Sequence, residues 1–228
     1  MGTKLSITTI VLQNGKRSHE GILFLRKINA ENIRQGLEVY ALAETKSLDA
    51  ENLCREVLDT FEECIVKSGT AAFTTVLSEA YQICHQKLAD TLQDAPFAAR
   101  VGLGLTTLAV RDDNLIFAKM GPGILYLQDS SGLREVQPPL LSNAQDETPN
   151  GDNCLGTALG PATIRVGHHT LSPGQTFIAS TSTLGVASSY DGLYAILDSP
   201  IEESEDKLEL LMGQEVYFAA CLIKKGQR

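Results

Sequence analysis

The sequence lacks any apolar run near the roughly 18 residues that a bilayer-spanning helix needs, and its start lacks the apolar core of a signal peptide. Basic residues are also scarce, since 19 Lys and Arg stand against 28 Asp and Glu, a formal net charge of -9. A surface of this sign repels phosphate groups. We therefore expect a cytoplasmic protein that binds neither nucleic acid nor membrane.

The five cysteines form no C-x-x-C pair and no cluster with histidine. Most of them lie within apolar patterns, at Cys54, Cys64, Cys84, Cys154 and Cys221. Such cysteines are typical of a reducing compartment, where they remain thiols and pack as small apolar side chains. A disulfide framework and a thiolate metal site are both disfavoured.

The 228 residues are 43% hydrophobic, which is typical of a globular chain. A chain of this length buries roughly 70% of its unfolded surface, so it needs neither disulfides nor a structural metal to fold. No linker-like segment divides the sequence. We predict one domain over residues 1–228.

Hydrophobic periodicity predicts strands near both ends of the chain and two long helices between them. The predicted strands cover residues 4–12, 22–28, 39–43, 102–110, 115–120, 124–128, 133–136, 164–166, 176–179 and 216–223. Apolar residues at three- and four-residue steps predict a helix over 49–68, with Asp49 as its N-cap. They also predict a second, longer helix with an apolar stripe from Phe73 to Leu92, which Pro96 ends. A short acidic helix is predicted over 201–211.

The order of these elements predicts an α+β fold with antiparallel sheets. Short turns join the strands between residues 102 and 136, which favours a meander of neighbouring strands. The two long helices each have one apolar face, so we expect them to cover a sheet. The polar segment 138–153 is longer than a usual loop, and we expect it to be mobile or functional.

Isolated motifs favour ordinary structural roles. Met1-Gly2 with Ser6 matches a myristoylation pattern, but Ser6 lies in a predicted strand. His168 and His169 are neighbours in an extended segment, so they point to opposite faces and cannot both bind one metal. We interpret both as exposed, and we expect His85 to lie on the solvated face of the second helix.

Six segments, spread over nearly the whole chain, occur in the same order as the motifs of a known protein family. They read VYALAET at 39–45, GLTTLA at 104–109, NLIFAKMGPGILYL at 114–127, LGTALG at 155–160, LSPGQTFIASTSTL at 171–184 and QEVYFAACLI at 214–223. This series resembles the metal-dependent Ser/Thr protein phosphatases of the PPM type, or phosphatase type 2C. The resemblance implies a four-layer α-β-β-α sandwich of two antiparallel sheets flanked by helices.

The resemblance also implies a site that this sequence alters. In the family, carboxylates bridge two Mn²⁺ or Mg²⁺ ions that activate a water for attack on phosphorus. Glu44 and Thr45 replace the family's Asp-Gly pair, and Ser182 replaces a metal-binding Asp. The altered cleft positions that the resemblance assigns are Lys16, Arg17, Glu20, Gly21, Glu44, Thr45, Gly121, Pro122, Ser182 and Gln214.

Some of these positions have a second interpretation. Glu44 is also consistent with a surface carboxylate that follows a strand. Lys16 and Arg17 match either the family's phosphate-holding arginine or a solvated turn after Asn14-Gly15. The segment 121–123 is either part of a ligand cleft or a tight turn.

Three hypotheses for the function follow. The first is a catalytically inactive pseudophosphatase without a cofactor, which serves as a regulatory or protein-binding module. The second is a divergent Ser/Thr phosphatase that holds Mn²⁺ or Mg²⁺ through Glu44, Glu20 and Glu215. The third is a small-molecule sensor that uses the neutral polar cleft.

Overall fold

The computed structural model describes residues 4–18, 25–29, 36–45, 50–69, 72–93, 103–141, 154–156 and 162–226. Its elements in chain order are β1 (Leu5–Gln13), β2 (Lys16–Arg17), β3 (Leu25–Asn29), β4 (Glu38–Glu44), α1 (Glu51–Lys67), α2 (Phe73–Leu92), β5 (Gly104–Arg111), β6 (Asn114–Met120), β7 (Ile124–Asp129), β8 (Gly132–Glu135), β9 (Arg165–Thr170), β10 (Thr176–Ser180), α3 (Thr183–Ala187), α4 (Tyr190–Asp198), α5 (Ile201–Met212) and β11 (Tyr217–Lys225).

The strands form two antiparallel sheets. One has six strands in the order β2-β1-β11-β10-β7-β8, and the other has five in the order β3-β4-β5-β6-β9. Helix α1 packs on β3 and β4 of the five-stranded sheet, whereas α4 and α5 pack on β7 and β1 of the six-stranded sheet. The predicted α+β, four-layer α-β-β-α sandwich is confirmed.

Strand β11 shows why the central strands are apolar along their whole length. Its alternate side chains join two different hydrophobic clusters. Those that pack between the sheets are Ala219, Cys221 and Ile223. Those that pack under the helices of the six-stranded sheet are Phe218, Ala220 and Leu222. A strand covered on both faces needs apolar residues at every position, which the sequence supplies.

The predicted meander over residues 102–136 is wrong. Strands β5 and β6 pair in the five-stranded sheet, but β7 and β8 belong to the six-stranded sheet. The chain crosses between the sheets at Gly121-Pro122-Gly123. Gly121 has a φ of +100°, and a Cβ there would lie 2.6 Å from the Cα of Gly104. A short turn can therefore join two packed sheets as well as two paired strands.

Helix prediction succeeded where an apolar face was long. Helix α2 covers the predicted apolar stripe from Phe73 to Leu92, and its predicted end at Pro96 lies outside the described residues. Helix α5 ends one residue later than predicted. Helix α1 begins at Glu51 with Ala50 as its N-cap and no side-chain cap bond, while the proposed cap Asp49 lies outside the described residues. Helices α3 and α4 were not predicted, because each spans at most a few turns. Most of the 138–153 segment also lies outside the described residues.

His85 is buried, so the expectation of a solvated histidine is wrong. Its side chain is 1% exposed, and its Nδ1 accepts a 3.2 Å hydrogen bond from the backbone N–H of Gly156. His168 is exposed as expected, but His169 is half-buried, with Nε2 lying 3.1 Å from Oε1 of Gln175. The histidines on β9 therefore differ in environment, which their adjacency in sequence did not reveal.

All five cysteines are free thiols, and Cys64 alone among them is not fully buried. Burial raises the pKa of the Cys54 thiol to about 12, and the charge of Glu44 adds to this rise. These cysteines are therefore neutral packing residues, as predicted. Within the described part of the chain, none of the helices combines the length and apolar character that crossing a membrane requires.

Candidate functional site

Glu44 is the last residue of β4, where it pairs with Gly104 of β5. Its side chain is only 5% exposed, so the interpretation as a surface carboxylate is wrong. Its Oε2 accepts a 2.7 Å hydrogen bond from the backbone N–H of Ser182. Because Ser182 follows β10 of the six-stranded sheet, this bond joins the ends of two strands from opposite sheets. Two positions that the resemblance assigned to the cleft thus meet directly.

Several neutral hydroxyls lie in the same region as this carboxylate. Thr45 is buried, and its backbone N–H donates a hydrogen bond to the Tyr217 hydroxyl. Burial raises the pKa of that hydroxyl, and the charge of Glu44 adds to the rise. Thr181 Oγ1 lies 2.9 Å from Thr183 Oγ1 and accepts a 3.4 Å hydrogen bond from the Ala219 N–H. These hydroxyls and backbone N–H groups therefore form hydrogen bonds with one another.

Lys119 adds a cation that the sequence reasoning did not single out. Its Nζ donates a hydrogen bond to the backbone carbonyl of Gly123. Burial lowers the pKa of the Lys119 ammonium, while the charges of Glu135 and Glu44 oppose this shift. In the sequence, Lys119 follows Leu115 and Phe117 at two-residue steps, which places it on the same face of β6 as these two buried side chains. A positive charge therefore lies within electrostatic range of Glu44.

The turn at residues 121–123 packs beside the strand neighbour of Glu44. A Cβ on Gly104 would lie 2.8 Å from Cδ of Pro122, and a Cβ on Gly123 would lie 2.2 Å from Oγ1 of Thr106. Contacts this short leave no space for a ligand between the turn and β5. The turn is therefore a close-packed crossing between the sheets that also borders the site.

The remaining assigned positions lie elsewhere or outside the described residues. Arg17 forms ion pairs with Glu205 and Glu209 of α5, on the helix-covered side of the six-stranded sheet. Lys16 and Gln214 are exposed near the same edge. Glu20 and Gly21 lie outside the described part of the chain. The structure thus brings Glu44, Thr45, Gly121, Pro122 and Ser182 into one region, which we call the Glu44 site together with Lys119 and Thr181.

The described residues of the Glu44 site do not fit a pair of divalent cations. Mn²⁺ and Mg²⁺ require several anionic oxygens that converge on one point. Here the Glu44 carboxylate accepts a hydrogen bond from the Ser182 N–H, the side chains of Thr45, Thr181 and Ser182 are neutral, and Lys119 lies within electrostatic range. Among the described residues, no group of three or more His, Cys, Asp or Glu side chains is arranged to hold a metal ion. The donor set therefore disagrees with the chemistry that the resemblance implies.

No protein-family model matches the sequence, and no curated protein sequence is significantly similar to it. The fold, in contrast, is similar to solved phosphatases. The serine/threonine phosphatase of S. agalactiae superposes with a TM-score of 0.74 at 13% identity, over 97% of this chain and 100% of that chain. Stp1 of Staphylococcus aureus gives 0.69 at 12% identity, over 100% and 97% of the two chains.

A third similar structure carries metal. The catalytic domain of the serine/threonine phosphatase PstP, solved in complex with two manganese ions, superposes with a TM-score of 0.67. It is 13% identical, with 98% of this chain and 99% of that chain covered. Identities of this size establish a shared fold and leave the chemistry to the site itself. This chain has the fold of PPM-type phosphatases.

Proposed function

We propose that this protein is a pseudophosphatase, a PPM-type phosphatase fold that acts as a regulatory or protein-binding module and not as an enzyme. The observation that carries the proposal is the hydrogen bond from the Ser182 N–H to the buried Glu44 carboxylate. At positions 44 and 182 the sequence resemblance implies two carboxylates that both bind metal ions. Here the second residue supplies a backbone N–H and a neutral hydroxyl.

The charge of the site supports the same conclusion. Two divalent cations carry a total charge of +4, which one buried carboxylate cannot balance. Lys119 adds a further positive charge to the region, and the charges of Glu135 and Glu44 both act on its ammonium. A lysine that interacts with this carboxylate disfavours a metal ion in the same place.

A binding role is supported by two apolar side chains on the helices that cover the six-stranded sheet. Val186 of α3 is 91% exposed, and Leu210 of α5 is 85% exposed. The two helices contact each other. Contiguous exposed apolar patches are typical of surfaces that bind other proteins, and these two side chains lie on contacting helices. We propose that a protein partner binds over α3 and α5.

The catalytic part of the proposal is tested by metal binding and turnover measured together. The purified protein is titrated with Mn²⁺ by calorimetry and assayed on a phosphoserine peptide and an aryl phosphate, with Glu44→Ala as the control. We expect no micromolar Mn²⁺ binding and equal, background hydrolysis by both proteins. Micromolar binding with turnover above the Glu44→Ala control would establish a divergent metal-dependent phosphatase instead.

The binding part is tested by affinity capture with paired variants. We expect the double variant Val186→Ser and Leu210→Ser to lose the partners that the wild-type protein retains. The matched control replaces Val66 and Ile83, which are 47% and 48% exposed on α1 and α2. If the control loses the same partners, or if the first double variant retains all of them, binding over α3 and α5 is wrong.

A further inference from the structure

A polar cavity lies away from the Glu44 site, next to the C-terminal end of α4. Its volume is about 360 Å³, within the range of small-molecule sites. It lies between the end of β7, the turn before β10, and α4. The residues that line it are Gln128, Asp129, Ser130, Ser172, Pro173, Gly174, Gln175, Tyr194 and Asp198.

This cavity is distinct from the Glu44 site because β10 separates the two. Thr176 begins β10 directly after the turn that lines the cavity, and Ser180 ends it two residues before Ser182. The four residue-to-residue steps from Thr176 to Ser180 span about 13 Å along the strand. A ligand in the cavity would therefore occupy the opposite end of β10 from Glu44.

Gln128 provides a buried acceptor at this cavity. Its side chain is 2% exposed, and its Nε2 donates a 3.1 Å hydrogen bond to Oδ1 of Asp198. The amide orientation follows from this bond, because an ionised carboxylate only accepts. Gln128 Oε1 is consequently the buried atom that has no hydrogen-bond partner among the described residues. A buried acceptor of this kind favours a ligand that brings an N–H or O–H donor.

The charge around the cavity favours a cation. Asp129 and Asp198 are among the described lining residues, and no Lys, Arg or His is. Asp129 is engaged by Ser131, and Arg134 lies 4.0 Å from its other oxygen. Asp198 is exposed at the end of α4 and is bonded to Gln128 through one oxygen. Asp198 is therefore the carboxylate best placed to meet an incoming positive group.

Two lysines at this end of α4 are already engaged. Lys207 Nζ donates a 2.6 Å hydrogen bond to Ser199 Oγ and pairs with Glu203. Lys224 Nζ donates to the backbone carbonyls of Leu197, Asp198 and Ser199, which end the helix. Burial lowers the pKa of Lys224, and the charge of Asp198 opposes the shift. Because its donors are directed at the helix carbonyls, Lys224 leaves the carboxylate oxygens and Gln128 Oε1 to another donor.

We propose that this cavity binds a guanidinium group, either from a free small molecule or from an arginine side chain of a partner. A guanidinium carries five N–H donors on a planar cation, so one group can pair with the Asp198 carboxylate and still offer further donors to the polar residues that line the cavity, Gln128 among them. Tyr194, which also lines the cavity, offers an aromatic ring on which a planar cation stacks. A compact ammonium would meet fewer of these features.

The test uses ligands that differ in charge but share a shape. Calorimetry with the full chain compares L-arginine and agmatine with L-citrulline, in which a neutral urea replaces the guanidinium. A short arginine-containing peptide is titrated in parallel. Binding of free arginine identifies a small-molecule source, and binding of the peptide alone identifies a protein source. Equal binding of citrulline and arginine, or saturation by none of the ligands at millimolar concentration, overturns the proposal.

Matched variants locate the site. Asp198→Asn keeps an acceptor for Gln128 but removes the charge, and we expect it to weaken binding about tenfold or more. Gln128→Leu should also weaken binding, with folding checked by circular dichroism and urea unfolding. The control is Asp191→Asn, an exposed carboxylate in the first turn of the same helix that does not line the cavity. Unchanged affinity in Asp198→Asn, or an equal loss in Asp191→Asn, overturns the assignment.

Discussion

The backbone N–H of Ser182 donates a 2.7 Å hydrogen bond to Oε2 of Glu44, although 138 residues separate them in the chain. The bond joins the end of β4 in one sheet to the residue that follows β10 in the other. It therefore contributes to holding the two sheets together, and it uses one oxygen of the buried carboxylate. Structure and chemistry at this site depend on the same contact.

Replacement of Glu44 should separate its hydrogen bond from its charge. We expect Glu44→Ala to lower the free energy of unfolding by about 1–3 kcal/mol, because the Ser182 N–H loses its acceptor. Glu44→Gln keeps a carbonyl oxygen that accepts from the Ser182 N–H, so it should lower the free energy of unfolding by less. Urea unfolding of the three proteins measures both effects. Equal stability of Glu44→Ala and wild type would show that the bond contributes nothing.

A second carboxylate at the site should create a response to metal. Ser182→Asp places a like charge on the residue that is bonded to Glu44, so we expect a lower melting temperature. Millimolar Mn²⁺ should then raise the melting temperature of the variant by a few degrees and leave the wild type unchanged. Thermal unfolding with and without Mn²⁺ is the measurement.

The control for that variant is Ser189→Asp. Ser189 caps α4 by accepting a hydrogen bond from the Gly192 N–H, and Asp is an equally good cap. The control should therefore keep its stability and ignore Mn²⁺. A wild-type protein that Mn²⁺ stabilises as strongly as Ser182→Asp would contradict the proposed loss of the metal site.

The crossing between the sheets should be sensitive to a single methyl group. Gly121→Ala combines a positive φ with a Cβ that would lie 2.6 Å from the Cα of Gly104. Gly132→Ala, the matched control, has a φ of +128° but no atom within 4 Å of the added Cβ. We expect Gly121→Ala to lower the free energy of unfolding by about 1–3 kcal/mol more than Gly132→Ala does. Urea midpoints test this, and equal costs would show that crowding at the crossing is unimportant.

Glu38 and Tyr40 should contribute a pH-dependent part of the stability. The Tyr40 hydroxyl donates a 2.5 Å hydrogen bond to Oε2 of Glu38 and, with Lys27, holds the pKa of that carboxyl below its ordinary 4.5. A lowered pKa in the folded state stabilises the protein above pH 4.5, and the contribution is lost as the pH falls through the folded-state value.

The variant Tyr40→Phe tests this linkage. It should be less stable than the wild type at neutral pH, and the difference should shrink as the pH falls below 4.5. Stability is measured by urea unfolding across the acid range. Glu38→Gln serves as the control, because without the carboxyl the same Tyr40→Phe change should give a difference that does not vary with pH. A constant difference in the wild-type background would contradict the coupling.

Much of the fold was predictable because it depends on local periodicity. The apolar stripe of α2 located that helix, and the β-branched runs located the strands within a few residues. The resemblance in segment order indicated the sandwich that the superpositions confirm. It also pointed to Glu44 and Ser182, which the structure brings into contact. These predictions required only side-chain character and order along the chain.

Other features were not predictable from the same information. A turn such as Gly121-Pro122-Gly123 has the same composition whether it joins paired strands or crosses between sheets. Lys119 was overlooked because a single lysine in an apolar strand does not show which carboxylate it approaches. The buried state of His85 depends on its contact with Gly156, 71 residues away.

The amino-acid sequence by itself determined an acidic α+β chain with reduced cysteines, helices that each have one apolar face, and an altered set of cleft residues. Only the tertiary structure decided that Glu44 is buried, that the chain changes sheets at Gly121, and that Gln128 has an unpartnered oxygen beside a cavity. The physical reason is the range of the interactions. Periodicity reports which face of an element is covered, whereas burial and charge depend on residues that come from distant parts of the chain.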